Sequence, residues 1–188
     1  MFEMRPAVAS DQESIAEMVQ VRMGWMRENG IPDWPRTDED VNAIASQAAA
    51  DQPVWVLVSS SGQVVGCTSV YEKTPEWGWT EEELAQSAYF LATSFTHPAY
   101  RNEKPGHLMA VWALNRAALN GFEWVRRGTF AQRLMVYYRD AQGWTLVHTP
   151  ERKGHTAYLM ARRAELMPEV TAFIKDSVTS TGDGHTSS

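Results

Sequence analysis

The chain has a single cysteine, Cys67, in 188 residues. No disulfide can form within it, and so thiol-poor a composition fits a reducing, cytoplasmic setting. It has no apolar run long enough to cross a bilayer, so no membrane partner is expected. Its first residues show no charged, apolar, small-residue leader pattern. Positive charge is not in excess. The formal net charge is −6, which argues against a general nucleic-acid binder. Five histidines and one cysteine fall in no metal-ligand spacing, so no metal is expected. Neither a Gly-x-Ser-x-Gly turn nor a Ser-His-Asp arrangement is present, and no internal repeat is visible. What remains is one domain of ordinary hydrophobic content, 44%.

Large polarizable side chains are abundant: eight tryptophans and nine methionines. They suit a core or pocket built from aromatic faces and adaptable thioethers. Residues 2–7 read as a first strand. Ser10-Asp11-Gln12-Glu13 has the form of a capping box. It opens a helix with Ile15, Val19, Met23 and Met26 on one face and a stop at Asn29-Gly30. Thr37 caps a second helix through residue 50. Residues 54–58 are a continuous apolar strand, and 64–71 return after a hairpin turn. Thr80 caps a short helix through residue 87. A strand over 89–96 leads through a loop to a helix over 108–119, with Pro105 suited to the first helical position. A strand over 122–129, a helix over 133–141 and a hairpin of strands 144–148 and 156–162 follow. Residues 165–176 read as a helix interrupted at Pro168. The order is mixed α/β, with hairpins at both ends and one βαβ unit between them.

The most informative stretch is Phe95-Thr96-His97-Pro98-Ala99-Tyr100-Arg101-Asn102-Glu103-Lys104-Pro105-Gly106-His107. A strand, a basic turn with glycine and a helix N-terminus make an anion cradle, because the first N–H groups of a helix point outward with partial positive charge. Arg126, Arg127 and Arg133 add to the local basic set that phosphate could meet. The pattern His-Pro-x-Tyr-Arg-x-x-x-x-Gly resembles the pyrophosphate loop of the GNAT N-acetyltransferases, Arg/Gln-x-x-Gly-x-Gly/Ala. Arg101 and Gly106 match its ends, and Lys104 stands where the middle glycine belongs. A second stretch, Leu134-Met135-Val136-Tyr137-Tyr138-Arg139-Asp140-Ala141-Gln142-Gly143-Trp144, resembles the family's Asn-x-x-Ala-x-x-x-Tyr motif followed by Gly-Phe. One residue is extra before Gly143, and Ala131 replaces the asparagine.

The resemblance spans residues 2–163. It implies an α/β GNAT fold: a mixed, mostly antiparallel sheet of about seven strands, helices on both faces, and splayed fourth and fifth strands. The acyltransferase domain would cover residues 1–164, with a helical extension over 165–176 and a disordered tail over 177–188. The implied reaction moves an acetyl group from the co-substrate acetyl-CoA to a primary amine of a small molecule, by direct attack in a ternary complex. Phe95 and Thr96 would offer backbone hydrogen bonds to the pantetheine. Arg101, Asn102, Glu103, Lys104, Gly106 and His107 would hold the pyrophosphate. Tyr138 falls at the position of the general acid that protonates the departing thiolate. Tyr137 stays its rival because of the extra residue. Glu72 is the candidate base, with Glu76, Asp33 or a water chain as alternatives. Trp25, Trp34, Tyr71 and Trp77 would line an acceptor pocket suited to a cationic or partly apolar amine. A homodimer would be ordinary for the family. Two other readings stay open: a GNAT-fold protein that binds its ligand without catalysis, and an acyltransferase with another acyl-CoA donor or a protein acceptor.

Overall fold

The computed structural model describes residues 1–31 and 34–177. The expected tail lies almost wholly outside them, as does Asp33. The chain opens with β1 (Phe2–Pro6), a 3-10 turn (Ala9–Asp11) and α1 (Gln12–Glu28). The box expected from Ser10 and Glu13 is replaced by one built on Asp11. Its carboxylate accepts the Val8 N–H at 2.8 Å and two Arg5 donors at 2.7 and 2.8 Å. A charged, bidentate partner on the preceding strand outcompetes a neutral hydroxyl. Ile15, Met18, Val19, Met23 and Met26 form the buried face of α1.

The second helix, α2 (Asp38–Ser46), has the expected Thr37 cap: Thr37 Oγ1 accepts the Asp40 N–H at 3.1 Å, and Asp40 accepts the Thr37 N–H at 3.0 Å. It ends four residues before the expected stop at residue 50. Next come β2 (Val54–Val58), β3 (Val64–Tyr71), α3 (Glu81–Leu84) and β4 (Ala88–Thr96). After a 3-10 turn (Pro98–Glu103), the chain continues through α4 (Pro105–Leu119), β5 (Trp124–Thr129) and α5 (Gln132–Gln142). The last part holds β6 (Thr145–His148), a small ribbon of β7 (Glu151–Arg152) and β8 (His155–Thr156), β9 (Tyr158–Arg163) and β10 (Ile174–Asp176).

Eight strands form the main sheet in the order β10-β1-β2-β3-β4-β5-β9-β6. All neighbours are antiparallel except β1 with β10 and β4 with β5. The eighth strand corrects the expectation of a helix over residues 165–176. Pro168 starts only a 3-10 turn (Pro168–Ala172), and Ile174–Asp176 then pair with Phe2–Met4. The outer edge of β1 offers unpaired N–H and C=O groups, which an isolated short helix cannot match. Asp176 anchors the strand by accepting from Trp112 Nε1 at 3.0 Å and Arg116 at 2.9 Å.

Both faces of the sheet are covered. On one, α4 and α5 bury Leu57, Val65, Leu91, Val125 and Met160 with Trp112 and Trp144. On the other, α1 and α2 bury Val56, Val58, Val64 and Cys67. A smaller cluster around Trp79 joins Phe90, Trp124 and Leu159. Strict alternation along β4 would put Phe95 on the side of Leu91. The register instead slips opposite residues 67–69, and Thr93 adopts φ 51°. That bulge turns Phe95 toward α1 and α2. A β-branched residue with positive φ carries strain of about 1–3 kcal/mol, a cost met chiefly at functional sites.

Candidate active site

The bulge has a further consequence. β4 pairs with β5 only from Ala88 opposite Trp124 to Leu91 opposite Arg127. From Ala92 onward the two strands part, so the β4 edge over residues 92–96 has no strand neighbour on that side. The result is a strand edge open within the sheet, able to pair with an extended ligand carrying amides.

This edge runs into the phosphate loop. His97 ties the loop down: its N–H donates to Val65 O at 2.9 Å, and its Nδ1 accepts the Ala99 N–H at 3.2 Å. Lys104 adopts φ 53° and ψ 55°. It thus takes the left-handed geometry that the glycine of the GNAT loop would supply without strain. Pro105 follows at the first helical position and has no N–H to give. The expected row of outward donors is only partly present. Lys104 N–H donates to Arg101 O at 3.2 Å, and His107 N–H to Lys104 O at 2.9 Å. Gly106 N–H makes no backbone bond of this kind. A Cβ at Gly106 would meet only Thr96 Cγ2, at 3.7 Å, so the loop start lies directly against the end of β4. Positive charge comes from Arg101 and Lys104. His107 adds none at neutral pH, because burial pushes its imidazole pKa down and Lys104 and Arg162 push it the same way.

α5 places its two tyrosines in different surroundings. Tyr137 is 42% exposed, whereas Tyr138 packs against the main core. Tyr138 Oη accepts from Arg127 Nη2 at 3.0 Å, and the Arg127 guanidinium carbon lies 3.7 Å from the centre of its ring. The same guanidinium carbon lies 5.3 Å from the centre of the Trp144 ring.

No family model matches the sequence, and no curated protein matches it. Solved structures do. A GNAT-family acetyltransferase from Listeria monocytogenes is similar over 86% of this chain and 94% of its own, with a TM-score of 0.63 and 16% identity. One from Staphylococcus aureus covers 88% and 100%, with a TM-score of 0.57 and 13% identity. The PaiA N-acetyltransferase of Thermoplasma acidophilum, solved in complex with coenzyme A, covers 87% and 99%, with a TM-score of 0.57 and 13% identity. The chain has the GNAT fold.

On this GNAT fold the expected acceptor residues do not share one pocket. Tyr71 and Glu72 line a cavity of about 590 Å³ with Lys73, Thr74, Glu76 and Phe90. Trp25 lines a different cavity of about 460 Å³, between α1 and the phosphate loop, with Gly24, Glu28, Ala99 and Arg101. Trp34 packs on Phe95, ring centres 5.6 Å apart. Trp77 joins the Trp79 cluster, with Arg152 4.0 Å from the centre of its ring. Sequence proximity to α1 or to the end of β3 did not specify which side of the bulged β4 each ring would reach. Glu72 and Glu76 are both exposed.

Two strand arginines have roles that their place in a basic cluster obscured. Arg126 is buried and holds the rim of the larger cavity rather than facing phosphate. It donates to Thr74 Oγ1 at 3.0 Å, Glu83 O at 2.8 Å and Gln86 Oε1 at 2.6 Å. Arg127, one residue on, faces α5 instead. A signal existed: two adjacent arginines in an apolar strand must lie on opposite faces. Arg22 on α1 also approaches this end of the splay. Burial pushes its guanidinium pKa down, Arg133 adds repulsion, and the Tyr138 phenol opposes both.

Proposed function

We propose that the chain transfers an acetyl group from acetyl-CoA to a primary amine of a small molecule, by direct attack in a ternary complex. The observation that carries this reading is the open β4 edge, held apart by the Thr93 bulge and ending against the N-terminus of α4. Backbone groups around Phe95 and Thr96 face the pantetheine amides and polarise the thioester carbonyl. Arg101, Lys104 and the Gly106 N–H hold the pyrophosphate, with Asn102, Glu103 and His107 shaping the loop. The amine enters from the cavity lined by Tyr71 and Glu72. Glu72, directly or through water, accepts the proton that the ammonium form of the substrate loses before attack.

Direct attack is favoured over a cysteine-bound acyl intermediate. Cys67, the one cysteine, is buried in the sheet, and burial pushes its thiol up to about 12. It is neither accessible nor ionised enough to be a nucleophile.

A second reading, ligand binding without transfer, draws on one observation. Pro105 and the occupied N–H groups of Lys104 and His107 leave few backbone donors for phosphate. Calorimetric titration with acetyl-CoA, with CoA and ATP as comparisons, tests the donor site. Saturable acetyl-CoA binding followed by thiol release with an amine panel supports transfer. Binding without release against any amine favours the second reading. No acetyl-CoA binding by folded protein removes transfer and leaves binding of another ligand as the leading reading.

A further inference from the structure

Arg127 occupies a costly place for a cation. It is the last β5 residue paired with β4, so its side chain stands where the strands part. It is 6% exposed. No carboxylate among the described residues pairs with it. Its neighbours are the Tyr138 and Trp144 rings and the Tyr138 hydroxyl. Trp144 is itself fixed, with Nε1 donating to Gln142 Oε1 at 3.1 Å. A buried guanidinium without a counter-ion is a poor device for stability, and an apolar side chain would pack there at less cost.

What the arrangement does is orient a proton. Guanidinium only donates, so Tyr138 Oη must accept from it. The one phenolic hydrogen is then directed elsewhere. Arg127 from β5 donates to this phenol, and Arg22 from α1 lies within electrostatic reach of it. We infer that Arg127 is a positioning residue that fixes Tyr138 as proton donor to the sulfur leaving in acyl transfer. This rests on the acyl-transfer reading above. In the step, the amine nitrogen bonds to the acyl carbon, and the carbon–sulfur bond breaks with its electron pair going to sulfur. The phenol proton moves from Oη to sulfur. The phenolate left beside Arg127 regains a proton, through water, from the amine nitrogen.

The test combines Arg127→Gln and Arg127→Lys, each alone and with Tyr138→Phe. Turnover, KM, acetyl-CoA affinity and thermal stability are measured, together with the carbon spectrum of protein labelled at the tyrosine Cζ. The Tyr138 resonance is the one missing in Tyr138→Phe. Arg127→Gln should lower kcat by about 10- to 100-fold with KM and acetyl-CoA affinity nearly unchanged. In the Tyr138→Phe background it should cost little more, because the two act as one unit. Arg127→Lys should fall between. The Tyr138 resonance should move in both Arg127 variants while those of the other five tyrosines stay. Independent, multiplicative losses or an unmoved Tyr138 resonance would overturn the inference alone. A wild-type protein that binds no acetyl-CoA would overturn it together with the acyl-transfer reading. Should Arg127→Gln not fold, Arg127→Lys carries both readouts.

Discussion

Replacing Lys104 with glycine separates the phosphate loop's backbone geometry from its charge. Lys104 sits at φ 53° and ψ 55°, immediately before Pro105. For an L-residue this left-handed conformation costs about 1–2 kcal/mol. Glycine removes that cost but loses about 0.5–1 kcal/mol more conformational entropy on folding. The ligand-free protein should therefore gain about 0.5–1 kcal/mol of stability, read as a higher urea midpoint at unchanged slope. The same change deletes an exposed cation. At about 4 Å in a water-like dielectric, one charge on a phosphate is worth about 1 kcal/mol, or about fivefold in affinity. Acetyl-CoA binding should weaken by that amount at low salt and converge with wild type at high salt. Lower stability in the glycine variant would refute the strained backbone. Unchanged affinity at low salt would show that the lysine side chain contributes nothing to the anion. Tighter binding would mean that it obstructs the site.

Three further outcomes are expected. Gly106→Glu should fold normally, since its Cβ meets only Thr96 Cγ2 at 3.7 Å and an acid suits the first turn of a helix. Its acetyl-CoA binding heat should vanish, and normal affinity would place the phosphates elsewhere. Asp176→Asn should cost about 1–2 kcal/mol, because it weakens the bonds from Trp112 and Arg116 that dock β10. Hydrogen exchange at Phe2 to Met4 should rise, and unchanged exchange would show that β10 is held by packing alone. Asp11 is held below the usual carboxylate range chiefly by its hydrogen bond from Arg5. Its stabilisation is present above the unfolded carboxylate pKa and lost as pH falls through the depressed folded value. Asp11→Asn should thus be less stable near neutrality and converge with wild type in acid. Parallel stability curves across the acid range would contradict this.

Much of the fold was legible because it depends on residues close in the chain. The Thr37 and Thr80 caps, each with an acid three residues on, are made as expected. The glycine stops at Gly30 and Gly143 lie at positive φ, where glycine carries no Cβ penalty. Residues 54–58 form the buried strand that their apolar run announced. The order of strand, basic turn and helix around Arg101 to Gly106 was also readable, because turns and helix starts are short-range events.

Other features were decided by neighbours far away in sequence. Ser10 and Glu13 had the right local form for a cap, but Arg5 on β1 drew Asp11 into that role. Residues 165–176 met a free strand edge on β1 and became a strand. The Thr93 bulge reversed the facing of Phe95, and packing of α1 and β3 left Trp25 and Tyr71 lining separate cavities. Tyr137 and Tyr138 are alike in sequence, and only docking of α5 turned Tyr138 onto Arg127. Local chemistry determines where a strand, cap or turn begins. Which face a side chain presents, and which partner it finds there, depends on sheet register and helix docking, and both arise only once distant segments pack.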